Sequence, residues 1–489
     1  MERLLVRGGH LLDLERPFAP GDLLIEDGRI AAVGGEIPAA DARVVDARGK
    51  VVLPGLINAH THSNQTLERG LTDNLPLDAW MVLASYGGAG AQLDARDLYT
   101  AAAFGAVEML LSGTTAVIDM ARVGLATFHE DAAAIMQAYA DVGLRATVAV
   151  SYADRDFYES VPIHLVTDSP PRTGRPRASM DQMEGLLREY VQQWRGRHPR
   201  LQPALGPSSL PRCSEPLFER SVALARELGV PMQSHLMSAK SQVLIERERY
   251  GCTTVQYLER IGALGDGFSY AHCIWLDQPD VDRLARTGTV LVTNPSSNLK
   301  LGSGVAPVQA FKRAGATVAL GSDGASSNDS QNMWDTLKCG AIVHKAYGSP
   351  HDWFGAADAL GACWHGGARG MQRALGRLAP GELGDVTLLR TGRLLLLPKE
   401  HMINQLVYSE SGASVDTVIV DGAVVVEQGR VTTVDVEPIY ARAQEIAARI
   451  FGDMPGRQAR FAETAPLLEA MEARVRETAL PFARTFDVP

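Results

Sequence analysis

Two histidines separated by one residue end an apolar run in the N-terminal part of the chain. The run Val51-Val-Leu-Pro-Gly-Leu-Ile-Asn-Ala-His-Thr-His62 is rich in aliphatic residues, which is typical of a buried strand. Alternate residues of a strand point to the same side, so His60 and His62 can reach one metal ion. Neutral imidazole is a common metal ligand near pH 7. The alternative is a polar strand end with two solvated histidines.

Three more potential ligands end apolar, strand-like runs further along the chain. They close the segments Pro231-Met-Gln-Ser-His235, Phe268-Ser-Tyr-Ala-His272 and Val318-Ala-Leu-Gly-Ser-Asp323. Each alone is explained as well by a buried histidine bonded to a carbonyl or by a helix-capping aspartate. Together they indicate one metal site, and imidazole nitrogens with one carboxylate suit zinc first, with iron or manganese as alternatives.

The elements that must position these side chains alternate between short strands and helices. Alternation of this kind predicts a parallel sheet, and eight units predict an α/β fold of the (β/α)₈ TIM-barrel type. The site of such a barrel lies at the carboxyl ends of its strands, where all five side chains would converge. The strand candidates are 51–58, 115–120, 146–151, 202–206, 231–234, 267–271, 289–293 and 317–321.

Both ends of the chain are rich in short apolar runs separated by turn signals such as Asp27-Gly28 and Asp421-Gly422. Neither end is large enough to fold alone, so we expect them to build one small composite β-sandwich. The expected domains are 1–53 plus 366–436 for this sandwich, 54–365 for the metal-dependent barrel, and 437–489 for a C-terminal helical appendage. Pro455-Gly456 is expected to break the appendage.

Composition excludes several classes of function. The net charge of −10 argues against a basic nucleic-acid-binding face. The five cysteines form no Cys-x-x-Cys pair, so neither a disulfide framework nor a zinc ribbon is expected. No stretch is apolar over the length that a transmembrane helix needs, and the N-terminus lacks a signal-peptide core. We therefore expect a cytoplasmic protein with no nucleic-acid or membrane partner.

The segment from Val51 to His62 resembles the opening metal motif of the amidohydrolase superfamily, and the segment Thr61 to Gly70 with Leu75-Pro-Leu77 resembles one branch of it. Within it the chain looks like the cytosine-deaminase-like and chlorohydrolase-like branch. That branch includes S-adenosylhomocysteine, guanine and 8-oxoguanine deaminases and triazine hydrolases. Gly376 to Asp385 resembles the family's return into the β-sandwich, so the resemblance covers nearly the whole chain.

The resemblance implies a role for each candidate residue. His60, His62, His235 and Asp323 match metal ligands, and His272 matches the sixth-strand histidine. The two-metal members carry a bridging lysine at the end of strand 4, where this chain has Leu205-Gly-Pro-Ser-Ser, so we expect one divalent ion. Such an ion makes water more acidic. Asp323 is then expected to take a proton, and His272 to stabilise developing charge and the leaving group.

One position departs from the branch. Its deaminases carry a glutamate three residues after the fifth-strand histidine, whereas this chain has Ser238 in His235-Leu-Met-Ser. A hydroxyl is too weak an acid at pH 7 to replace that glutamate. Either another group such as Lys240 or Glu246 supplies the proton, or the substrate needs no ring protonation.

The expected substrate contacts are Trp80, Gln65, Ser238, His272 and Asn298, all at strand ends or in the loops that follow them. Trp80 could stack on a flat ring, and equally could be a half-buried core residue.

We expect a mononuclear metal hydrolase that acts on C–N bonds of a small nitrogen-containing cyclic substrate, by deamination or a related displacement. Alternatives are a cyclic amide or urea hydrolase, a dehalogenating chlorohydrolase, and a non-catalytic barrel. We expect a homo-oligomer, a dimer or a tetramer.

Overall fold

The computed structural model describes residues 3–16, 18–86, 93–174, 177–392, 395–396, 401–480 and 482. Its strands are β1 Arg3–Leu11, β2 Ala19–Glu26, β3 Arg29–Val33, β4 Arg43–Asp46, β5 Lys50–Pro54, β6 Leu56–Thr61, β7 Thr114–Asp119, β8 Arg145–Tyr152, β9 Leu201–Pro207, β10 Met232–Leu236, β11 Phe268–His272, β12 Val290–Thr293, β13 Thr317–Leu320, β14 Val386–Arg390, β15 Val415–Val420, β16 Ala423–Glu427 and β17 Arg430–Val431.

The helices mostly alternate with the strands in the middle of the chain and cluster at its C-terminal end. They are α1 Leu77–Trp80, α2 Ala95–Leu111, α3 Phe128–Val142, α4 Met180–Trp194, α5 Glu215–Leu228, α6 Lys240–Tyr250, α7 Thr254–Arg260, α8 Gln278–Thr287, α9 Pro295–Lys300, α10 Val308–Arg313, α11 Met333–Ile342, α12 Ala356–Gly361, α13 Gly367–Met371, α14 Met402–Ser409, α15 Val436–Gly452 and α16 Met454–Glu477. Among the described helices, none is both long enough and apolar enough to cross a bilayer.

Strands β6 to β13 form the predicted parallel barrel, in sequential order around one eight-stranded sheet. The first and last strands meet through Asp323, whose backbone N–H donates to the carbonyl of His60 at 2.9 Å. Beside it, the N–H of Ser322 donates to Oδ1 of Asn58 at 3.0 Å. The barrel fold is therefore confirmed, and its seam lies directly beside the candidate metal ligands.

The remaining strands, from both chain ends, form one nine-stranded mixed sheet. Strand β5 pairs antiparallel with β14 and parallel with β1, which joins the N-terminal and C-terminal contributions. Leu4, Val52, Leu388 and Ile419 share one buried cluster of this domain. The composite β domain is confirmed, while the exact limits 1–53 plus 366–436, 54–365 and 437–489 stay a prediction.

The predicted single strand 51–58 is wrong, because the chain changes sheets at Gly55. Residues before it belong to β5 of the mixed sheet, and residues after it belong to β6 of the barrel. A Cβ atom at Gly55 would lie 2.1 Å from Oγ1 of Thr115, so only glycine fits at this crossing.

The C-terminal helices divide at Asp453 rather than at the predicted Pro455. Proline is tolerated in the first turn of a helix.

Candidate metal centre

The four histidines and the aspartate converge at the carboxyl ends of the barrel strands. Nε2 of His62 lies 3.3 Å from Nε2 of His235 and 3.3 Å from Oδ1 of Asp323. Nε2 of His60 lies 3.6 Å from the same carboxylate oxygen. Two overlapping sets, His60 with His62 and His235, and His60 with His272 and Asp323, each have ligand atoms within 4.8 Å of one another. The sequence therefore identified the residues that the fold brings together.

Hydrogen bonds on the far side of two rings decide which nitrogen faces the centre. Nδ1 of His60 lies 2.8 Å from Oε1 of Gln233, and Nδ1 of His62 lies 2.7 Å from the carbonyl of Met120. Both partners accept, because Nε2 of Gln233 donates to the carbonyl of Ala59 and so leaves Oε1 for the ring. The Nδ1 atoms therefore carry the protons, and the Nε2 lone pairs point to the centre.

The other two histidines follow the same pattern. Nδ1 of His235 lies 2.6 Å from the carbonyl of Ser208, and Nδ1 of His272 lies 2.8 Å from Oδ1 of Asn298. The Nδ2 atom of Asn294 is farther from this nitrogen of His272, at 3.4 Å, so the shorter contact assigns the proton to Nδ1. Partners of this kind orient metal-binding imidazoles in proteins.

These contacts fit a cation at the centre. The Nε2 atom of His60 is buried and has no hydrogen-bond partner among the described residues. When the four rings are neutral, their Nε2 lone pairs and one carboxylate face each other, an arrangement that costs free energy unless a positive charge joins them. The preference for positive charge also acts on His62: burial lowers the pKa of this ring, but contact with the Asp323 carboxylate outweighs burial and raises the pKa above its usual value. The donor set of imidazole nitrogen and carboxylate oxygen suits a divalent ion such as zinc.

Asp323 and His272 are both held in unusual backbone conformations, with φ of +64° and +77°. Left-handed conformations are uncommon for residues other than glycine and often occur at functional sites. The carboxylate of Asp323 accepts from Oγ of Ser297 at 2.5 Å and from the N–H of Gly324 at 2.8 Å. Its orientation is therefore fixed by α9, which follows barrel strand 7, and by the loop after barrel strand 8.

Burial and charge set the protonation states of the centre. Burial raises the pKa of Asp323, but contacts with His60 and His62 outweigh it and hold this pKa well below its usual range. Burial lowers the pKa of His272 to about 4, and burial with the neighbouring histidines lowers the pKa of His235 well below its usual value. Asp323 is therefore ionised near pH 7, and His235 and His272 are neutral.

The predicted substrate contacts lie in different surroundings. Gln65 lies against the loop of Asp323. Its Oε1 approaches Gly324 so closely that a Cβ atom at this glycine would lie only 1.9 Å from it. Asn298 uses Oδ1 to hold His272, so this amide orients the centre, while its Nδ2 is buried without a partner among the described residues. Ser238 is 3% exposed, and its backbone N–H donates to Gln242.

Trp80 belongs to an apolar cluster rather than to an open wall. It is 5% exposed and shares this cluster with Leu301 and with Leu468 and Met471 of α16. Its Nε1 is buried and has no partner among the described residues. A donor left unpaired in the loop after strand 1 is a candidate contact for a polar ligand.

Neither group suggested as a substitute acid is free to approach the centre. Glu246 is 1% exposed and accepts from Oγ1 of Thr254, and burial raises its pKa to about 8. Nζ of Lys240 donates to the carbonyl of Arg476 at 3.0 Å. Both contacts lie outside the histidine cluster, so the suggestion that either residue replaces the missing glutamate loses support.

Sequence reasoning missed the residues behind the histidines. Gln233 lies two positions before His235, so strand alternation places both side chains on the barrel interior, and this signal could have found it. The carbonyls of Met120 and Ser208 carried no such signal. Asp119 is a natural guess for the partner of a strand-1 histidine, but its carboxylate accepts from the N–H of Ser63 and from the hydroxyl of Tyr139.

Comparisons with known proteins agree with this geometry. Residues 51–425 match the model of the amidohydrolase family. A 5'-deoxyadenosine deaminase from Methanothermobacter thermautotrophicus is 34% identical over 452 residues, covering 92% of this chain and 99% of the relative. A 5-methylthioadenosine/S-adenosylhomocysteine deaminase from Desulforudis audaxviator is 34% identical over 456 residues, with the same coverage of both chains.

Solved structures show the same resemblance. An adenosine deaminase from Xanthomonas campestris with bound zinc has 27% identity and a TM-score of 0.79, covering 91% of this chain and 98% of its own. An atrazine chlorohydrolase from Arthrobacter aurescens in complex with zinc has 25% identity and a TM-score of 0.80, covering 91% of this chain and 100% of its own. The chain is thus similar both to deaminases and to a chlorohydrolase.

Proposed function

The chain belongs to the amidohydrolase family, as a hydrolase of carbon–nitrogen bonds other than peptide bonds, and we propose that it deaminates a small nitrogen-rich ring. Adenosine-like compounds are the first substrate class to test, because the deaminases named above act on such compounds. One divalent ion, zinc first, would be held by His60, His62, His235 and Asp323. The observation that carries this proposal is the convergence of four Nε2 atoms and the Asp323 carboxylate, each imidazole oriented by an acceptor on Nδ1.

The side chains of the centre have distinct tasks in the proposed reaction. When bound, the ion acts as a Lewis acid that makes water more acidic near neutral pH. Asp323 is ionised and held by Ser297, so it can accept a proton and later return it to the leaving group. His272 is neutral with Nδ1 engaged by Asn298, so its Nε2 can accept a hydrogen bond from the departing amino group.

Ser238 favours a second candidate function. A serine cannot protonate a ring nitrogen at neutral pH, because its hydroxyl pKa lies far above the operating range. Displacement of a halide, or hydrolysis of a cyclic amide or urea, needs no such protonation. The structural similarity to an atrazine chlorohydrolase supports displacement of a halide as the first form of this alternative to test. Under it, Asp323 serves as the only acid and base.

The experiment measures products rather than substrate loss. Protein purified without chelators is loaded with zinc and incubated with adenine nucleosides, aminopyrimidines, pterins, triazines and cyclic ureas. Ammonia release from an adenosine-like compound supports deamination, whereas halide, alkylamine or ring-opened product supports the second candidate. Protein that retains zinc but releases none of these products would contradict both candidate functions.

Cytoplasmic location and a homo-oligomeric state stay predictions. Size-exclusion chromatography with light scattering tests the oligomeric state.

A further inference from the structure

A buried arginine of the C-terminal helix enters the loop that follows the first barrel strand. Arg457, in the first turn of α16, is 3% exposed. Its Nη1 donates to the carbonyl of Ala84 at 3.0 Å, and its Nε donates to Oδ2 of Asp453 at 3.2 Å. The same Nη1 lies 3.9 Å from Oε1 of Glu68. A buried guanidinium needs such partners, so its removal leaves them unsatisfied.

The segment that contains Glu68 contacts the loop of Asp323. Two residues after Glu68, the backbone N–H of Gly70 donates to Oδ1 of Asp329, six residues after Asp323, at 2.7 Å. Three residues before Glu68, the side chain of Gln65 lies against Gly324. The loops after strands 1 and 8 therefore touch beside the metal centre, through Gln65 on one side of Glu68 and Gly70 on the other.

The same helix also covers the loop further along. Leu468 and Met471 of α16 share a buried cluster with Trp80 and Val82, which lie in α1 and in the π-helical turn Met81–Tyr86. Helix α16 thus contacts this loop twice, in its first turn through the charged Arg457 and further along the helix through apolar packing. The apolar contact stabilises the position of the helix, while Arg457 fixes its register on the loop by directional hydrogen bonds.

We propose that Arg457 is a positioning residue for the substrate site: through Ala84 and Glu68 it holds the loop 63–86, which lies against the loop after strand 8 beside the metal centre. For activity this rests on the proposed function. The C-terminal helical segment is then part of the machinery that binds substrate rather than a mere appendage. Among the residues that the structure describes, the hydrogen-bond and ion-pair partners of Arg457 do not include the four histidines, so its loss should leave the metal centre loaded.

The test compares Arg457→Met, which keeps most of the side-chain volume without the charge, with Arg457→Lys and Glu68→Gln. Arg474→Met is the matched control, because Arg474 is a 65% exposed arginine of the same helix that pairs only with Glu477 among the described residues. We expect Arg457→Met to raise KM about tenfold, with kcat within about twofold and zinc content unchanged. Hydrogen exchange should quicken in peptides from 63–86 and 324–331.

Further outcomes keep the proposal falsifiable. Arg457→Lys should raise KM less than Arg457→Met does. The double variant with Glu68→Gln and Arg457→Met should raise KM by a smaller factor than the product of the two single effects, because both changes break the same contact. If Arg457→Met does not fold, the same reading comes from Arg457→Lys and Glu68→Gln. Unchanged KM and unchanged exchange in these variants would overturn the proposal. A wild-type protein without turnover would contradict the proposed function instead, because the exchange measurement needs no substrate.

Discussion

Oε1 of Gln233 lies 2.8 Å from Nδ1 of His60, so a residue of the fifth barrel strand orients a residue of the first. The amide of Gln233 is held in turn, since its Nε2 donates to the carbonyl of Ala59 at 3.0 Å and to Oγ of Ser269 at 3.1 Å. Gln233 is 2% exposed, so no water replaces these contacts easily. The orientation of His60 therefore depends on a network that the sequence pattern of histidines does not include.

Replacing Gln233 with Leu should weaken zinc binding by about 10- to 100-fold, the usual effect of losing the partner behind a metal-binding histidine. The Nδ1 proton of His60 would lose its acceptor, and the ring could turn its lone pair away from the centre. Competition with a zinc chelator measures the affinity. Gln192→Leu, on an exposed face of α4, is the control. Equal affinities of the two variants would remove Gln233 from the centre.

Replacing His62 with Ala should remove both bound zinc and activity. Its Nε2 lies within 3.3 Å of both His235 and Asp323, so this ring occupies the middle of the proposed ligand set. A site that lacks one ligand binds the ion far more weakly. Metal analysis of the purified variant gives the result, and His129→Ala, at a histidine paired with Glu189 away from the centre, is the control. Full zinc content would refute the assignment of His62.

Replacing Asp323 with Asn should lower kcat by roughly 10²- to 10⁴-fold, the usual contribution of general acid–base catalysis. The amide is nearly isosteric but cannot take up a proton. The low pKa of Asp323, due to the nearby His60 and His62 despite burial, keeps the wild-type carboxylate ionised across the assay range. Thermal unfolding should change little by comparison. Activity within about twofold of wild type would exclude Asp323 as the proton acceptor.

Replacing Ser238 with Glu should raise ammonia release from adenine nucleosides while lowering turnover of a substrate that needs no ring protonation. Position 238 is buried, and burial raises the pKa of a carboxylate, so the new side chain could stay protonated and supply the missing acid. Ser238→Gln, similar in size but without an acidic proton, separates acidity from the crowding of a buried position. Fast deamination by the wild type would show that the acid lies elsewhere.

His344 should make the protein sensitive to acid independently of the metal centre. It is 1% exposed, neither ring nitrogen has a partner among the described residues, and burial lowers its pKa to about 4. The unfolded chain, with a pKa near 6.5, then binds more protons than the folded one. The contribution of His344 to stability is complete above about pH 6.5 and falls as the pH drops toward about 4, by up to about 3 kcal/mol.

The measurement is the free energy of unfolding of wild type and His344→Leu between pH 4 and 7. The difference between the two proteins should shift in favour of the variant as the pH falls, since the variant has no proton to take up there. The exposed residue His351 supplies the control variant, His351→Leu. Wild type and variant share the same metal centre, so its acid sensitivity cancels when the two free energies of unfolding are subtracted. A pH-independent difference would contradict the assigned role of His344.

The sequence alone determined the barrel and the identity of the converging side chains. The two-residue period of a strand puts His60 and His62 on one side, and parallel strands bring His235, His272 and Asp323 to the same end. It also showed that Ser238 stands where a glutamate is expected. These conclusions depend on local periodicity and on the regular geometry of a barrel, which short stretches of sequence carry.

The tertiary structure decided what surrounds those side chains. The contact of Gln233 with His60 spans 173 residues and that of Arg457 with Ala84 spans 373, and no local pattern encodes such pairs. The chain's change of sheet at Gly55 depends on the side chain of Thr115, which approaches only in the folded protein. Backbone carbonyls such as that of Met120 are present at every position, so only the fold selects the one that orients a histidine.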